Sequence, residues 1–255
     1  MKKIFVFALM AMFSLASQAQ IVSSRSSHVE TVPEVKEPSR NWSYLYMQYN
    51  GGAFSADGES ESYDGFSFGY NINYRLTDAI PLFLETGIGM QFTLKEYDNY
   101  IISSTSYSKD KWDLVMGSFK IPLGVSYVFD IPNTPISIIP NAGADFRINF
   151  AGMMIPDNGN VKDYLDKQLG HEYMDLFKKS DWEEIGKAAY GMSTSAAADY
   201  ADEAKWNRFQ VSGHIGVSAR FWRKLLVGFQ YQFDFSEIAK DVTMNQLNAT
   251  VAVCF

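Results

Sequence analysis

Few residues in this chain have the types and spacing that chemistry needs. Its three histidines are His28, His171 and His214. His28 lies in a Ser- and Pro-rich lead-in and His171 in a long connecting segment, so no metal cluster is expected. His214 lies in an alternating segment. A hydrolase or acyltransferase would set such a histidine beside a serine and a carboxylate, so that the imidazole could take the hydroxyl proton. Two residues on stands Gly216, not a serine, and a hydrogen-bonded interior histidine is the plainer expectation. Cys254 is the single cysteine. That excludes an intramolecular disulfide and a cysteine-built zinc site, and leaves no lipidated cysteine behind a leader. Asp157-Asn158-Gly159-Asn160 has calcium-loop composition, but its spacing fails the EF-hand pattern, so an Asx turn is expected. The remaining candidates are charges placed among small or apolar residues: Glu85, Lys95, Lys120, Asp145, Arg147, Arg208, Arg220 and Asp234. No catalytic, cofactor or metal site follows from them.

What must position these charges is a set of alternating segments. The clearest runs from Leu225 to Phe235. Leu225, Val227, Phe229, Tyr231, Phe233 and Phe235 share one face, and Leu226, Gly228, Gln230, Gln232 and Asp234 share the other. A period of two is the mark of a strand with two unlike faces. Segments 209–221 and 247–255 repeat the pattern, as do 136–150, 119–129, 82–94 and 66–74. An eighth segment, about Trp42 to Phe54, is aromatic on both faces and leaves its sides unassigned. Short connections (75–81, 130–135, 222–224) alternate with longer ones (55–62, 96–111, 152–205, 236–244). Eight strands with short turns at one end and long loops at the other match the plan of an outer-membrane barrel. An even strand count puts both termini on the short-turn, periplasmic side. Ten strands would require a hairpin hidden in the longest loop, whose spacing is helical.

Upstream, Lys2 and Lys3, the apolar run Ile4–Leu15 and Ala16-Ser17-Gln18-Ala19 form the three regions of a secretory signal peptide, residues 1–19. Residues 20–40 lack hydrophobic periodicity and read as a disordered periplasmic lead-in. The barrel then spans 41–255, with 153–205 as an extracellular loop insertion. No later stretch reaches the roughly 20 apolar residues of a membrane helix. The net charge is −7 and no basic patch appears, which argues against nucleic acid.

Alternation alone fits a soluble ligand barrel as well, with its apolar face inward. Three features favour the membrane. The polar face holds many glycines (69, 87, 89, 124, 143, 216, 228) and few charges, as a narrow lumen requires. Aromatics gather near both ends of the apolar face, where interfacial girdles form. A closed sheet also leaves no unpaired backbone edge in lipid. The segments "KIPLGVSYVF", "IPNAGADFRINF" and "GVSARFWRKLLVGFQYQFDF", with the terminal Phe255, resemble the outer-membrane β-barrel (porin-like) family of small OmpA/OmpX-type barrels, over about Trp42 to Phe255. The resemblance implies a Gram-negative outer-membrane location, contact with outer-membrane lipid, and reading of Phe255 by the barrel-assembly machinery as an assembly signal.

In such a barrel Glu85, Lys120, Asp145, Arg147, Arg208, Arg220 and Asp234 form an interior charge network, since buried charges must be paired. A turn centred between Pro132 and Asn133 predicts Lys120 directly across from Asp145, and the next tight hairpin predicts Arg208 within diagonal reach of Asp234. Segment 155–205 holds eleven Asp/Glu against six Lys. Tyr164, Leu165, Leu169, Tyr173, Leu176 and Phe177 have near-helical spacing, and Trp182, Ile185 and Tyr190 mark a second helix. The segment is expected to cap the extracellular mouth or fold inward as a plug. These readings give a non-enzymatic barrel, structural or binding an extracellular ligand through the 153–205 loop. A narrow porin for small solutes and a lipid-modifying enzyme are the alternatives.

Overall fold

The computed structural model describes residues 41–56, 59–103 and 106–255. The signal peptide and the lead-in lie outside the described residues. Eight long strands form the ring: β1 (Asn41–Ala56), β2 (Glu59–Arg75), β3 (Leu82–Ser103), β4 (Ser106–Tyr127), β6 (Ile136–Pro156), β8 (Phe209–Phe221), β9 (Leu225–Asp234) and β10 (Thr243–Cys254). Each pairs antiparallel with the next, and β1 pairs with β10 from Tyr44↔Cys254 to Ser55↔Thr243, which closes the sheet. Two further strands have two residues each: β5 (Phe129–Asp130) extends the β4–β6 hairpin, and β7 (Met174–Asp175) adds to β6 from within the insertion. The ring therefore stays at eight.

The faces are those of a membrane barrel. Ile88, Leu123, Ile148, Ile215, Val217, Phe229 and Leu247 point outward and are exposed, and the lumen holds Asn, Gln, Ser and the buried charges. A soluble protein could not present an apolar band around its whole circumference. The ambiguous β1 is settled as well: Trp42, Tyr44, Tyr46, Gln48 and Asn50 face in, while Leu45 and Tyr49 face out. Its inward aromatics fill room left by glycines on neighbouring strands. Gly69 and Gly89 are directly paired, and the Tyr46 hydroxyl lies where their side chains would be.

Three local features depart from simple alternation. A bulge between Gly117 and Ser118 opposite β6 leaves Phe150 without a partner. It switches which β6 residues face in, from Asp145, Arg147 and Asn149 below it to Gly152 and Pro156 above. The expected loop 96–111 is largely strand, because the β3–β4 hairpin runs on to Ser103↔Ser106. The β4–β6 register also differs from the turn-centre expectation: Lys120 stands across from Arg147, and Asp145 across from Pro122. Pro132 and Asn133 (φ 60°) form the turn as expected. Pro135 has no N–H to give, so pairing resumes at Ile136, whose carbonyl accepts from Ile131 N at 3.0 Å.

The insertion begins at Asp157, since β6 continues through Pro156, and it holds three helices: α1 (Gly159–Leu169), α2 (Lys179–Tyr190) and α3 (Thr194–Ala204). The expected first helix is too long. Gly170 (φ 77°) ends α1, so Tyr173, Leu176 and Phe177 lie outside it, flanking the two-residue β7 that docks on β6. Asn158 caps α1 by accepting from Asn160 N at 2.9 Å, which is the expected Asx turn. The third helix has no counterpart in the sequence reading.

Candidate functional site: the filled lumen and its helical cap

Three tiers of side chains fill the lumen. At the short-turn end Trp42, Tyr44, Tyr46, Phe83, Val128, Ile139, Leu226 and Ala252 make one apolar cluster. Arg220 closes this tier. Its guanidinium lies over the Trp42 ring at 4.7 Å, and its cross-strand partner Ser137 donates to Asp130 at 2.6 Å.

The middle tier is a polar network reaching across the barrel. Lys120 Nζ lies 3.3 Å from Asp145 Oδ2 and donates to Gln232 Oε1 at 3.0 Å. The pair expected between Lys120 and Asp145 thus forms, on a diagonal. His214 Nδ1 lies 3.0 Å from the same Asp145 oxygen. The imidazole occupies space left by Gly124 and Gly143, with Nε2 only 3.1 Å from where a Gly124 side chain would begin. Gln232 donates to Ser212 at 2.9 Å, and Gln246 links Gln232 to Gln91 at 2.9 and 3.0 Å. Towards the long loops the Arg147 guanidinium pairs with Asp234, both side chains fully buried. Gln210 also donates to Asp234, at 3.1 Å. Glu85 accepts from the Tyr44 hydroxyl at 2.6 Å and from Asn71 at 2.8 Å. Six expected interior charges are thus inside.

Arg208 is the exception. It lies ahead of β8, is exposed, and does not pair with Asp234. Its Nη1 points to the carbonyls of Asn149 and Phe150 at 3.3 and 3.5 Å, and its guanidinium lies 4.5 Å from the Phe177 ring. The bulge frees those carbonyls, and the arginine covers them. Lys95 sits above the network, paired with Glu61 at 2.9 Å.

The third tier is apolar again. Phe54, Tyr63, Trp112, Leu114, Met116 and Met244 from the strands pack with Leu165, Met174 and Leu176 from the insertion and Ile238 from the last loop. Backbone bonds fasten the insertion down: Leu176 N to Gly152 O at 2.9 Å, Trp206 N to Leu176 O at 2.9 Å, Asn207 N to Ile238 O at 2.6 Å. Side chains join the helices to one another, Tyr164 to Glu184 at 2.8 Å and Lys179 to Asp202 at 2.6 Å. The hydrogen bond to Asp202 raises the Lys179 pKa. Burial, and then the bond to Glu184, pushes the Tyr164 phenol up to about 12. The insertion is therefore a cap with a wedge: its helices cover the mouth, and Leu165, Met174 and Leu176 reach into the core below.

Among the described residues no group of three or more His, Cys, Asp and Glu side chains is placed to hold a metal ion. Phe255 faces outward. It closes the β1–β10 seam by donating to Ser43 O at 2.8 Å and accepting from Ser43 N at 3.3 Å. Tyr74, Phe129 and Trp222 are likewise exposed near the same rim, as a girdle requires.

The chain is similar to Ail, the attachment invasion locus protein of Yersinia pestis, at 11% identity over 85% of this chain and 99% of that one, TM-score 0.42. It is similar to Neisserial surface protein A at 16% identity over 84% and 97%, TM-score 0.35. The outer membrane enzyme PagL is similar at 9% identity over 82% and 98%, TM-score 0.42. No curated protein matches the chain. The model of the outer membrane protein beta-barrel domain matches residues 39–240. The chain belongs to that family and is a protein of the Gram-negative outer membrane.

Proposed function

We propose that this protein is a closed, non-enzymatic outer-membrane barrel whose particular task is carried by its helical cap, on the cell's outer face. The observation that carries the reading is the closure of the lumen in three tiers, apolar at each end and hydrogen-bonded between. An eight-stranded interior is just wide enough for side chains to fill, and here they do. A porin needs a continuous aqueous path, and Leu114, Met116, Leu165 and Leu176 are at most 1% exposed where that path would run. The charge network then serves to fill and order the barrel. The groups free to meet a ligand are those on the outer surface of α1–α3. Phe255 is proposed as the residue the barrel-assembly machinery reads.

Conductance across a planar bilayer tests this reading. The expected result is a silent membrane with the intact protein. Steady large channels would overturn it.

One observation favours an enzyme: the Asp145–His214 contact is the orienting half of a triad. Against it, Nε2 faces the backbone of Gly124, and Ser212 bonds the Asp145 carbonyl at 3.4 Å and accepts from Gln232. His214→Ala in a lipid-modification assay separates the two. An activity lost on substitution would establish the enzyme.

A further inference from the structure

The three short turns at one end of the barrel differ in charge. In 75–81 the cation, Arg75, is engaged by its own turn, donating to Thr77 O at 2.9 Å and Asp78 O at 3.2 Å. The turn 130–135 carries no Lys or Arg, and its Asp130 accepts from Ser137 at 2.6 Å. In 222–224 the sequence is Trp-Arg-Lys, and all three residues are exposed, Trp222 to 67%. Among the described residues neither Arg223 nor Lys224 forms a salt bridge or a side-chain hydrogen bond.

This turn holds its side chains in a fixed and strained pose. Trp222 N bonds Pro135 O at 2.7 Å, and Lys224 O accepts from Cys254 N at 2.7 Å, so the turn is held from both sides. Trp222 and Arg223 have φ of 51° and 57°, where Asn-Gly is the favoured pair. Strain of that kind gathers where side chains have a task. Packing does not explain these residues: the Trp222 ring touches that of Phe221 at 6.1 Å between centroids and is otherwise open.

The surroundings select the partner. The outward faces of β8 and β9 are apolar from the turn upward, with Phe221 paired to Leu225 and Val217 to Phe229. Lipid chains cover such a band. Phe129 and Phe255 stand exposed at the same rim. An aromatic ring at the edge of the band sits at the level of the headgroups. Two cations beside it on the turn then face the phosphates, which a guanidinium binds bidentately and an ammonium as a point charge.

We propose that the Trp222-Arg223-Lys224 turn docks the headgroup phosphate of an anionic phospholipid, with Trp222 anchored among the headgroups and Arg223 and Lys224 on the phosphate oxygens. A zwitterionic lipid offers the same phosphate beside a fixed positive charge, which the two side chains repel. The preference is therefore for a headgroup of net negative charge. The inference does not depend on what the cap does.

The test uses the full-length barrel refolded in phosphatidylcholine vesicles that contain a minor fraction of phosphatidylglycerol. Both leaflets have this composition, so the direction of insertion does not matter. Bromine atoms, which quench a nearby indole, label either the phosphatidylglycerol chains or those of an equal amount of the phosphatidylcholine. The chain has 5 tryptophans, so the Trp222 signal is the difference between the protein and its Trp222→Phe variant. Each cation near the surface favours an anionic headgroup by about fivefold. Trp222 should therefore be quenched far more by the brominated phosphatidylglycerol, and added salt should erode the difference. Arg223→Gly/Lys224→Gln should be quenched equally by the two labels. Glycine suits the left-handed position, so this variant is expected to fold. Equal quenching of Trp222 by the two labels in the unaltered protein would overturn the proposal. So would a preference for phosphatidylglycerol that survives in the double variant, which would assign it to another surface. No quenching by either label would also overturn it, placing the turn in water.

Discussion

The middle of the lumen and the space beneath the cap are parts of one cylinder, yet they are filled by opposite chemistries. In the middle, Asn, Gln, Asp, Lys and Arg side chains make a directional network in which each partner depends on the strand register. Beneath the cap, Leu, Met, Trp and Phe side chains pack without direction. Small, hydrogen-bonding residues suit a narrow bore walled in by lipid, where every polar group must find its partner inside. Past the membrane the wall meets water, helices can expose a polar face, and apolar packing becomes the stronger way to close the bore. The middle should therefore respond to a lost partner as a whole, and the cap to a lost side chain locally.

The largest effect is expected at Arg147. Arg147→Ala strands the buried Asp234 carboxylate, and breaking a buried pair from one side costs about 3–5 kcal/mol. The urea midpoint of the refolded barrel checks this. The double variant Arg147→Met/Asp234→Leu should regain most of the loss, since removing both charges leaves none unpaired. If the double variant is as unstable as the single one, the pair is not what orders the middle.

Next comes Leu176, buried to 1% in the cap cluster. Leu176→Ala should cost about 2–5 kcal/mol as a cavity mutation. The loss should appear as faster proteolysis of 157–208, with the heat-modifiable band unchanged. A barrel that loses its band shift would show that the cap and the middle unfold as one unit.

A smaller effect in the cap depends on pH. Burial and the Glu184 bond raise the Tyr164 phenol, and burial and Tyr190 raise that of Tyr200, each to about 12. Above the ordinary value of 10.0 the unfolded cap releases these protons while the folded cap keeps them. The unfolded state then binds fewer protons, so cap stability falls between pH 10 and 12 and is unaffected below. Proteolysis of the cap against pH should show this decline, weakened in Tyr164→Phe.

The sequence carried the barrel because period two is a local property, visible in each segment alone. It carried the inward charges for the same reason. What it hid depends on more than one strand. The sides of β1 were hidden because Tyr46 is polar enough for a lumen and apolar enough for lipid, and the glycines that make room for it belong to β2 and β3. The Arg147–Asp234 pair spans β6 and β9, which are not neighbours, so turn arithmetic could not reach it. Arg208 misled because alternation does not say where a strand begins. Lys120 and Asp145 met despite a misplaced register, because a long lysine reaches a diagonal neighbour as readily as a direct one.

The smallest expected effect lies outside both regions, in the turn between β8 and β9. Trp222 and Arg223 have φ of 51° and 57°, and Lys224 N bonds Phe221 O at 2.9 Å. Positive φ at both central positions is the signature of a type I′ hairpin turn, for which Asn-Gly is favoured. Left-handed backbone costs an ordinary residue roughly 1–2 kcal/mol, so Arg223→Gly should stabilise the barrel by about 1 kcal/mol. Trp222→Asn should gain less, because the exposed indole stands at the rim where aromatic rings anchor a barrel to the membrane surface. The urea midpoint distinguishes the two. A gain at Trp222 equal to that at Arg223 would mean that the ring contributes nothing at the rim, and that strain alone governs the turn.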